Sequence, residues 1–332
     1  MPAPDNFLRR IVGDYFRFAV NFFRTASVYR KKYTSQKAGN HTPSLVVFFV
    51  DGAMIHGGLG DRLKGIISAY AVCKAKSLPF RICFDHPFML QDYLVPNRYD
   101  WITKPDERIV FSKKCAKIIN VHNYPQSNAL FRIPSSSSIQ YHVYGNMNIL
   151  ERINERFATH FQWADLFDEL FRPSALLAES IREHIARIGG DYVTLHFRFQ
   201  QLLGDFCDPD GETLPLSRRE WLIRQCLDYV AEQQKLIPSQ ILVLSDSHSF
   251  IKRVEEQAME KVHTLPGNVV HMDYAGSGDG LLPAHLKTFL DFFMLRHAIK
   301  AVTVVADRMR ISEFPLYAAL SAGIPHETVH LV

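Results

Sequence analysis

The sequence lacks most of the features that would assign it at a glance. Its five cysteines (Cys73, Cys83, Cys115, Cys207 and Cys226) are odd in number and form no C-x-x-C pair. A disulfide framework and a zinc ribbon are therefore not expected, and reduced, mostly buried thiols are. No apolar run approaches the ~20 residues needed to span a bilayer. Arg9, Arg10, Asp14 and Arg17 interrupt the first apolar stretch, so it does not read as a secretory signal. The expected location is the cytoplasm, with the inner face of a membrane as a variant of it. The net charge of +4 is a weak bias, too small for a dedicated nucleic-acid binder. The fifteen histidines are scattered and need no metal to explain them.

What is present is an ordinary globular composition, 47 % apolar and 22 % charged, over 332 residues. That length suits two cores of roughly 150 residues each. Residues 1–40 stand apart. Leu8, Ile11, Val12, Tyr15, Ala19, Phe22 and Phe23 repeat at helical spacing, with Arg9, Arg10, Arg17 and Arg24 among them and Arg30-Lys31-Lys32 behind. Over residues 7–32 this reads either as an amphipathic helix on an anionic membrane surface or as a helix packed on the protein's own body. Ser35 to Pro43 reads as a linker.

An alternating α/β pattern follows. Leu45–Val50 is a continuous apolar run, as in a buried parallel strand. A glycine loop follows it, then a helix over Leu63–Ala75 and a strand over Phe80–Phe84: a right-handed crossover unit. Lys117–Val121 and Ile139–Val143 read as strands, and 148–172 as helix. Arg172-Pro173, with Ser174 as helix cap, marks the expected boundary between a domain over 41–172 and one over 173–332. The second series predicts helix over Ser174–Arg187, strand Tyr192–Phe197, helix Ser217–Gln234 and strand Ile241–Leu244. Helix Phe250–Met259, strand Val269–Met272, helix His285–His297, strand Ala301–Val305 and helix Ser312–Ser321 complete it. Two such sets imply an α/β protein of two Rossmann-like domains facing a cleft.

Four segments carry chemistry. In Gly57-Gly58-Leu59-Gly60-Asp61-Arg62-Leu63-Lys64-Gly65, a strand-to-helix turn aims backbone amides and a helix dipole at a ligand, and Gly58 and Gly60 allow close approach. The dinucleotide and Walker patterns both fail there; a plain tight turn, with Asp61 as cap, is the other reading. In the second segment, Thr194 to Arg198, His196 and Arg198 alternate onto one side of a strand near its carboxyl end. Arg198 there suits bidentate phosphate contact or a structural ion pair. Asp246, after Leu244-Ser245, suits a ribose or base edge, or a helix cap. Before the last helix, Ser312 reads as a phosphate-holding helix start, assisted by Arg308 and Arg310, or as a simple cap.

These four segments resemble, in order and spacing, those of the GDP-fucose-dependent fucosyltransferases of the α1,2-, α1,6- and O-fucosyl superfamily, over about residues 45–325. Gly57 to Asp61 is similar to that family's Gly-Gly-Leu-Gly-Asn/Asp loop, and His196-Phe197-Arg198 to its His-x-Arg motif. Ser245-Asp246 is similar to its Ser/Thr-Asp-Asp segment, and Ser312-Glu313-Phe314 to its Ser-x-Phe-Ser segment. The resemblance implies a GT-B fold, inversion at the fucose anomeric carbon, no metal and no cofactor beyond the donor substrate GDP-fucose. It implies Arg198 and Ser312 on the diphosphate, His196 and Asp246 on guanosine, and the glycine loop, with Gly58, Gly60 and Arg62, over diphosphate and acceptor. Arg308 assists, and Asp61 is the candidate base. An oligosaccharide or glycoconjugate acceptor is implied. The chain departs from the family at Phe199, where a second Arg is usual, at Ser247 for a second carboxylate and at Pro315 for a second Ser; Asp205 is a candidate stand-in for a displaced Asp. Two rivals stay open. One is a metal-dependent transferase using Asp208-Pro209-Asp210, whose Pro/Gly setting reads more simply as a turn. The other is a non-catalytic nucleotide- or glycan-binding protein.

Overall fold

The structure is a computed structural model and describes residues 20, 22–35, 44–206, 211–267, 269, 272 and 285–331. The first elements are α1 (22–32), β1 (Leu45–Val50), α2 (Leu59–Ala75), β2 (Phe80–Phe84), β3 (Leu94–Pro96), β4 (Ala116–Val121), α3 (Tyr124–Phe131), β5 (Gln140–Gly145) and α4 (Leu150–Phe157). Next come α5 (Trp163–Leu170), β6 (Phe171–Pro173), α6 (Ala175–Ile188), β7 (Tyr192–Phe197), α7 (Leu216–Leu236), β8 (Gln240–Ser245) and α8 (His248–Glu256). The last are β9 (Val262–His263), α9 (Leu286–Arg296), β10 (Lys300–Ala306), α10 (Phe314–Ala322) and β11 (His326–Leu331). Among the described residues no helix is long and apolar enough to cross a membrane.

The chain forms two compact units. The first takes in Met1–His56, Asp61–Phe88 and Tyr99–Phe161; the second, Gly57–Gly60, Met89–Arg98 and Gln162–Val332. The first unit holds a four-stranded parallel sheet in the order β2-β1-β5-β4. Every residue of β1 is buried, as its unbroken apolar run requires. Helix α2 lies close against this sheet at Gly65. A Cβ there would stand 2.3 Å from the Gly145 carbonyl oxygen and 2.7 Å from the Phe48 ring. Helix α1 packs on the same unit. Val28 and Tyr33 are buried, Tyr29 Oη accepts the Ile118 amide at 2.7 Å, and Lys32 pairs with Asp51 at 2.7 Å. The C-terminal end of the expected amphipathic helix is therefore body-packed; its apolar positions from Leu8 to Ala19 lie outside the described residues.

The second unit holds a five-stranded parallel sheet, β11-β10-β7-β8-β9. Numbered within the unit, this is the doubly wound 3-2-1-4-5 order, with β7 as its first strand. One face of β7 sends Val193, Leu195 and Phe197 into a core with Phe199, Phe250, Leu222, Cys226 and Val302. Ser174 caps α6, accepting the Leu177 amide, and Gly189 ends it at φ +76°.

Three expectations change. The helix expected over 148–172 is two helices and a strand: α4 ends at Ala158 in the left-handed region, and 171–173 form β6, antiparallel to β3. Helix α5 packs within the second unit, where Trp163 meets Tyr317 and Asp168 pairs with Arg296 at 2.8 Å. The division between the units accordingly falls after Phe161, upstream of Arg172-Pro173. Finally, the last helix starts at Phe314, two residues beyond Ser312. Val270 and His271, the middle of an expected strand, lie outside the described residues.

Candidate functional site

In an open parallel sheet, ligands sit beyond the carboxyl ends of the strands where the winding direction reverses. In the second unit that point is between β7 and β10. Sequence reasoning placed His196 and Arg198 on β7's end and Ser312 beyond β10, and the topology brings both ends to this switch point. His196 pairs in register with Thr303. Thr303 Oγ1 in turn donates to the Ser312 carbonyl at 3.4 Å, and the His196 ring lies 5.8 Å from that of Phe314.

Three polar groups here are left open. The Arg198 guanidinium, half-buried, has no hydrogen-bond or ion-pair partner among the described residues. His196 Nδ1 and Ser312 Oγ are buried without a partner. A buried polar atom left unsatisfied costs about 1–3 kcal/mol. Such atoms collect where a ligand or water completes them. Burial, then the charges of Arg198 and Lys287, push the His196 pKa down to about 3, so its ring is neutral.

The turn carrying Arg198 is held by two crossed carboxylates. Asp246, just beyond β8, accepts the amides of Phe199 and Gln200 at 2.8 and 2.9 Å. Asp205, at the far end of that turn, reaches back to the start of α8, accepting Ser249 N–H at 2.7 Å and the Ser247 hydroxyl at 2.8 Å. Burial raises the Asp246 pKa to about 6, against the opposing pull of the two amides and Arg198. Phe199, which replaces a second arginine in the resemblance, is fully buried beside Phe197 and Phe250. Asp246 thus supports the turn, and both of its oxygens already serve that role. Ser247, not Asp246, caps α8, accepting the Phe250 amide at 3.1 Å. Arg308 lies on the surface, where both its bonds go to Glu212 at 2.9 Å; such an exposed pair adds little stability. Ser312 is not a cap: Glu313 occupies that position.

The glycine loop that leads into α2 has two kinds of residue. Gly58 and Gly60 have nothing within 4 Å of a built Cβ, so no packing demands glycine there, whereas Gly57 sits at φ +85°. Asp61, in the first turn of α2, pairs with Lys64 at 2.6 Å and is 40 % exposed. Arg62 is not an open phosphate ligand. It is 1 % exposed, donates to the His86 carbonyl at 3.0 Å and lies over the Phe84 ring, because the inward face of α2 packs on the sheet.

Sequence reasoning passed over His56 and Asp51. His56 is buried, donates from Nδ1 to the Gly145 carbonyl at 3.3 Å, and has an unpartnered Nε2. Burial and then Arg62 push its pKa down to about 3. Asp51, at the carboxyl end of β1, accepts from Tyr144 Oη at 3.0 Å and from the Ala53 amide at 3.0 Å. Its signal was a carboxylate ending an apolar strand. Among the described residues no group of three or more His, Cys, Asp or Glu side chains is arranged to hold a metal. Asp208 to Asp210 lie outside the described residues.

No family model matches the chain, and comparison with curated proteins gives no match. Solved structures do resemble it. A mutant of Arabidopsis thaliana FUT1 in complex with GDP superposes with a TM-score of 0.54 at 12 % identity, covering 87 % of this chain and 71 % of that one. NodZ alpha-1,6-fucosyltransferase soaked with GDP-fucose gives 0.49 at 13 % identity, covering 84 % and 92 %, and POFUT1 in complex with GDP gives 0.48 at 12 %, covering 89 % and 99 %. The first of these carries the fold assignment. The chain has a GT-B fold, similar to that of the GDP-fucose-dependent fucosyltransferases.

Proposed function

We propose that the protein is an inverting glycosyltransferase that moves fucose from GDP-fucose to a hydroxyl of a glycan acceptor without a metal. The observation that carries this reading is the unpaired Arg198 beside the open His196 Nδ1 and Ser312 Oγ at a doubly wound switch point. The fold, like that of a GDP-bound FUT1, supports it.

In the proposed reaction the acceptor oxygen bonds to the fucose anomeric carbon from the face opposite GDP. The bond from that carbon to the β-phosphate oxygen breaks, and GDP leaves with the electron pair. The transition state is oxocarbenium-like, and negative charge grows on the diphosphate. Fixed donors aimed at that charge are the main requirement. Arg198 supplies a guanidinium with no competing partner, and Ser312 a hydroxyl. Asp246 and Asp205 fix the turn that aims Arg198. His196, neutral at physiological pH, offers guanosine its open Nδ1, a donor or an acceptor according to the tautomer. On the acceptor side, Asp61 orients the hydroxyl and takes up its proton, and the open Gly58 and Gly60 admit a ligand against their backbone. Arg62 acts in this reading by shaping α2, and Arg308 as a peripheral charge.

The test is a thermal-shift screen of GDP, UDP, ADP, CMP and their sugars, followed by transfer of labelled fucose in EDTA. A ligand at one hundred times its Kd raises stability by about 2.7 kcal/mol. Selective stabilisation by GDP compounds and EDTA-resistant turnover are expected. Preference for another base overturns the donor. Activity lost in EDTA overturns the metal-free reaction, and GDP binding without turnover makes the protein a binding module.

A further inference from the structure

Helix α1 is half committed. One side of it, Thr25, Val28, Tyr29, Lys32 and Tyr33, is packed or bonded to the first unit: Thr25 Oγ1 accepts from Asn120 at 3.2 Å, and Lys32 pairs with Asp51. The rest of its surface is largely exposed. Phe22 and Phe23 are 62 % and 70 % exposed, the largest fractions for phenylalanine among the described residues, and their rings touch edge to face at 5.8 Å. At 100° per residue Phe23, Ala26, Ser27 and Arg30 share the outward face, with Lys31 and Arg24 at one border and Phe22 at the other, beside Tyr29. Arg24, Arg30 and Lys31 are exposed, with no ion-pair partner among the described residues.

The stretch of sequence that carries this helix is basic. Between Asp14 and Asp51 the chain has no acidic residue, yet it has Arg17, Arg24, Arg30, Lys31, Lys32 and Lys37. Of these, Arg24, Arg30 and Lys31 lie exposed on α1 with the two phenylalanines, and Lys32 is committed to Asp51. We propose that the exposed surface of α1 docks the protein on an anionic lipid surface, Phe23 from the outward face and Phe22 from its flank entering the headgroup–acyl boundary and Arg24, Arg30 and Lys31 meeting lipid phosphates.

The geometry favours lipid over a protein partner. A helix over 22–32 is about 16 Å long, and one face of it falls well short of the ~1,000 Å² of a specific protein interface. Surface docking needs less: buried apolar side chains plus attraction to anionic headgroups. Each basic residue near such a surface is worth about fivefold in partition. The inference is independent of the nucleotide site, since no residue of α1 belongs to it.

Full-length protein would be sedimented with phosphatidylcholine vesicles with and without phosphatidylglycerol, at low and high salt. Binding is expected only with phosphatidylglycerol and is expected to weaken with salt. Phe22→Ser with Phe23→Ser should lower partition at least about tenfold, and Arg24→Glu with Arg30→Glu and Lys31→Glu about a hundredfold or more. All five side chains are exposed, so the unfolding midpoint should stay put, and this control separates lost docking from lost folding. No partition onto phosphatidylglycerol vesicles overturns the proposal, as does partition that survives both variants. A nucleic-acid mobility shift tighter than the vesicle partition, lost with the charges but not the phenylalanines, overturns it in favour of a polyanion.

Discussion

The carboxylate of Asp246 accepts the amides of both Phe199 and Gln200, and so fixes the two residues that follow Arg198. Asp205 ties the other end of the turn to Ser247 and Ser249. A lone arginine at a sheet's edge is an adaptable side chain; one on a turn fastened at both ends is a pre-aimed one, which is what stabilisation of growing charge needs. Asp246→Asn puts an amide NH₂ against a backbone N–H. It should cost about 1–3 kcal/mol in thermal unfolding and weaken GDP binding in calorimetry. If affinity falls while stability holds, Asp246 instead touches the nucleotide directly.

Arg198 itself makes no stabilising bond among the described residues. Arg198→Ala should therefore shift stability by no more than about 0.5 kcal/mol, while fucose transfer falls about 10²-fold or more. Ser312→Ala removes a buried hydroxyl that has no partner, so its unfolding midpoint should hold or rise as turnover drops. An Arg198→Ala protein that unfolds early would mark the side chain as structural and sink its assignment to the diphosphate.

The fold was legible because both sheets are parallel and their central strands are buried. Central strands read as apolar runs, Leu45–Val50 unbroken and Ala301–Val305 interrupted only by Thr303, and each of these two is followed by a helix. The switch-point residues were legible for the same reason: a polar side chain ending an apolar strand has few other places to be. Short elements were not. The strands at Leu94–Pro96 and Phe171–Pro173 pair with each other across distant sequence, and no local period records that. Nor does local pattern tell a buried arginine from an exposed one. Arg62 and Arg308 were read alike, and one is buried under a helix while the other lies on the surface.

Two glycines of α2 should behave oppositely. Gly65→Ala drives a methyl group to 2.3 Å from the Gly145 carbonyl oxygen. Neither backbone yields easily, and the cost should reach about 3 kcal/mol or more. Gly60 lies in the first turn of α2 with open space where its Cβ would be. Gly60→Ala should raise stability by about 0.5–1 kcal/mol and lower kcat/KM if the open backbone is where a ligand lies. Unfolding midpoints with steady-state kinetics read both. A Gly60→Ala enzyme that is more stable and fully active would make the loop an ordinary turn.

Acid should destabilise the protein well above the carboxylate range. Burial depresses His56 and His196 to about 3 and His142 to about 4, from 6.5. Unfolding frees each to take a proton below pH 6.5, so stability is full above that pH and is lost as pH falls. Asp246 works in the other direction. Burial raises it from 3.8 to about 6, so between those values the folded state holds a proton that the unfolded state gives up. Near pH 5 the four groups together give a net uptake of about two protons on unfolding, or about 3 kcal/mol lost per pH unit. Urea unfolding between pH 7 and pH 5 measures this slope. His142→Gln should remove about one proton from it whatever that variant does to absolute stability. A flat profile would mean that the histidines ionise within the fold.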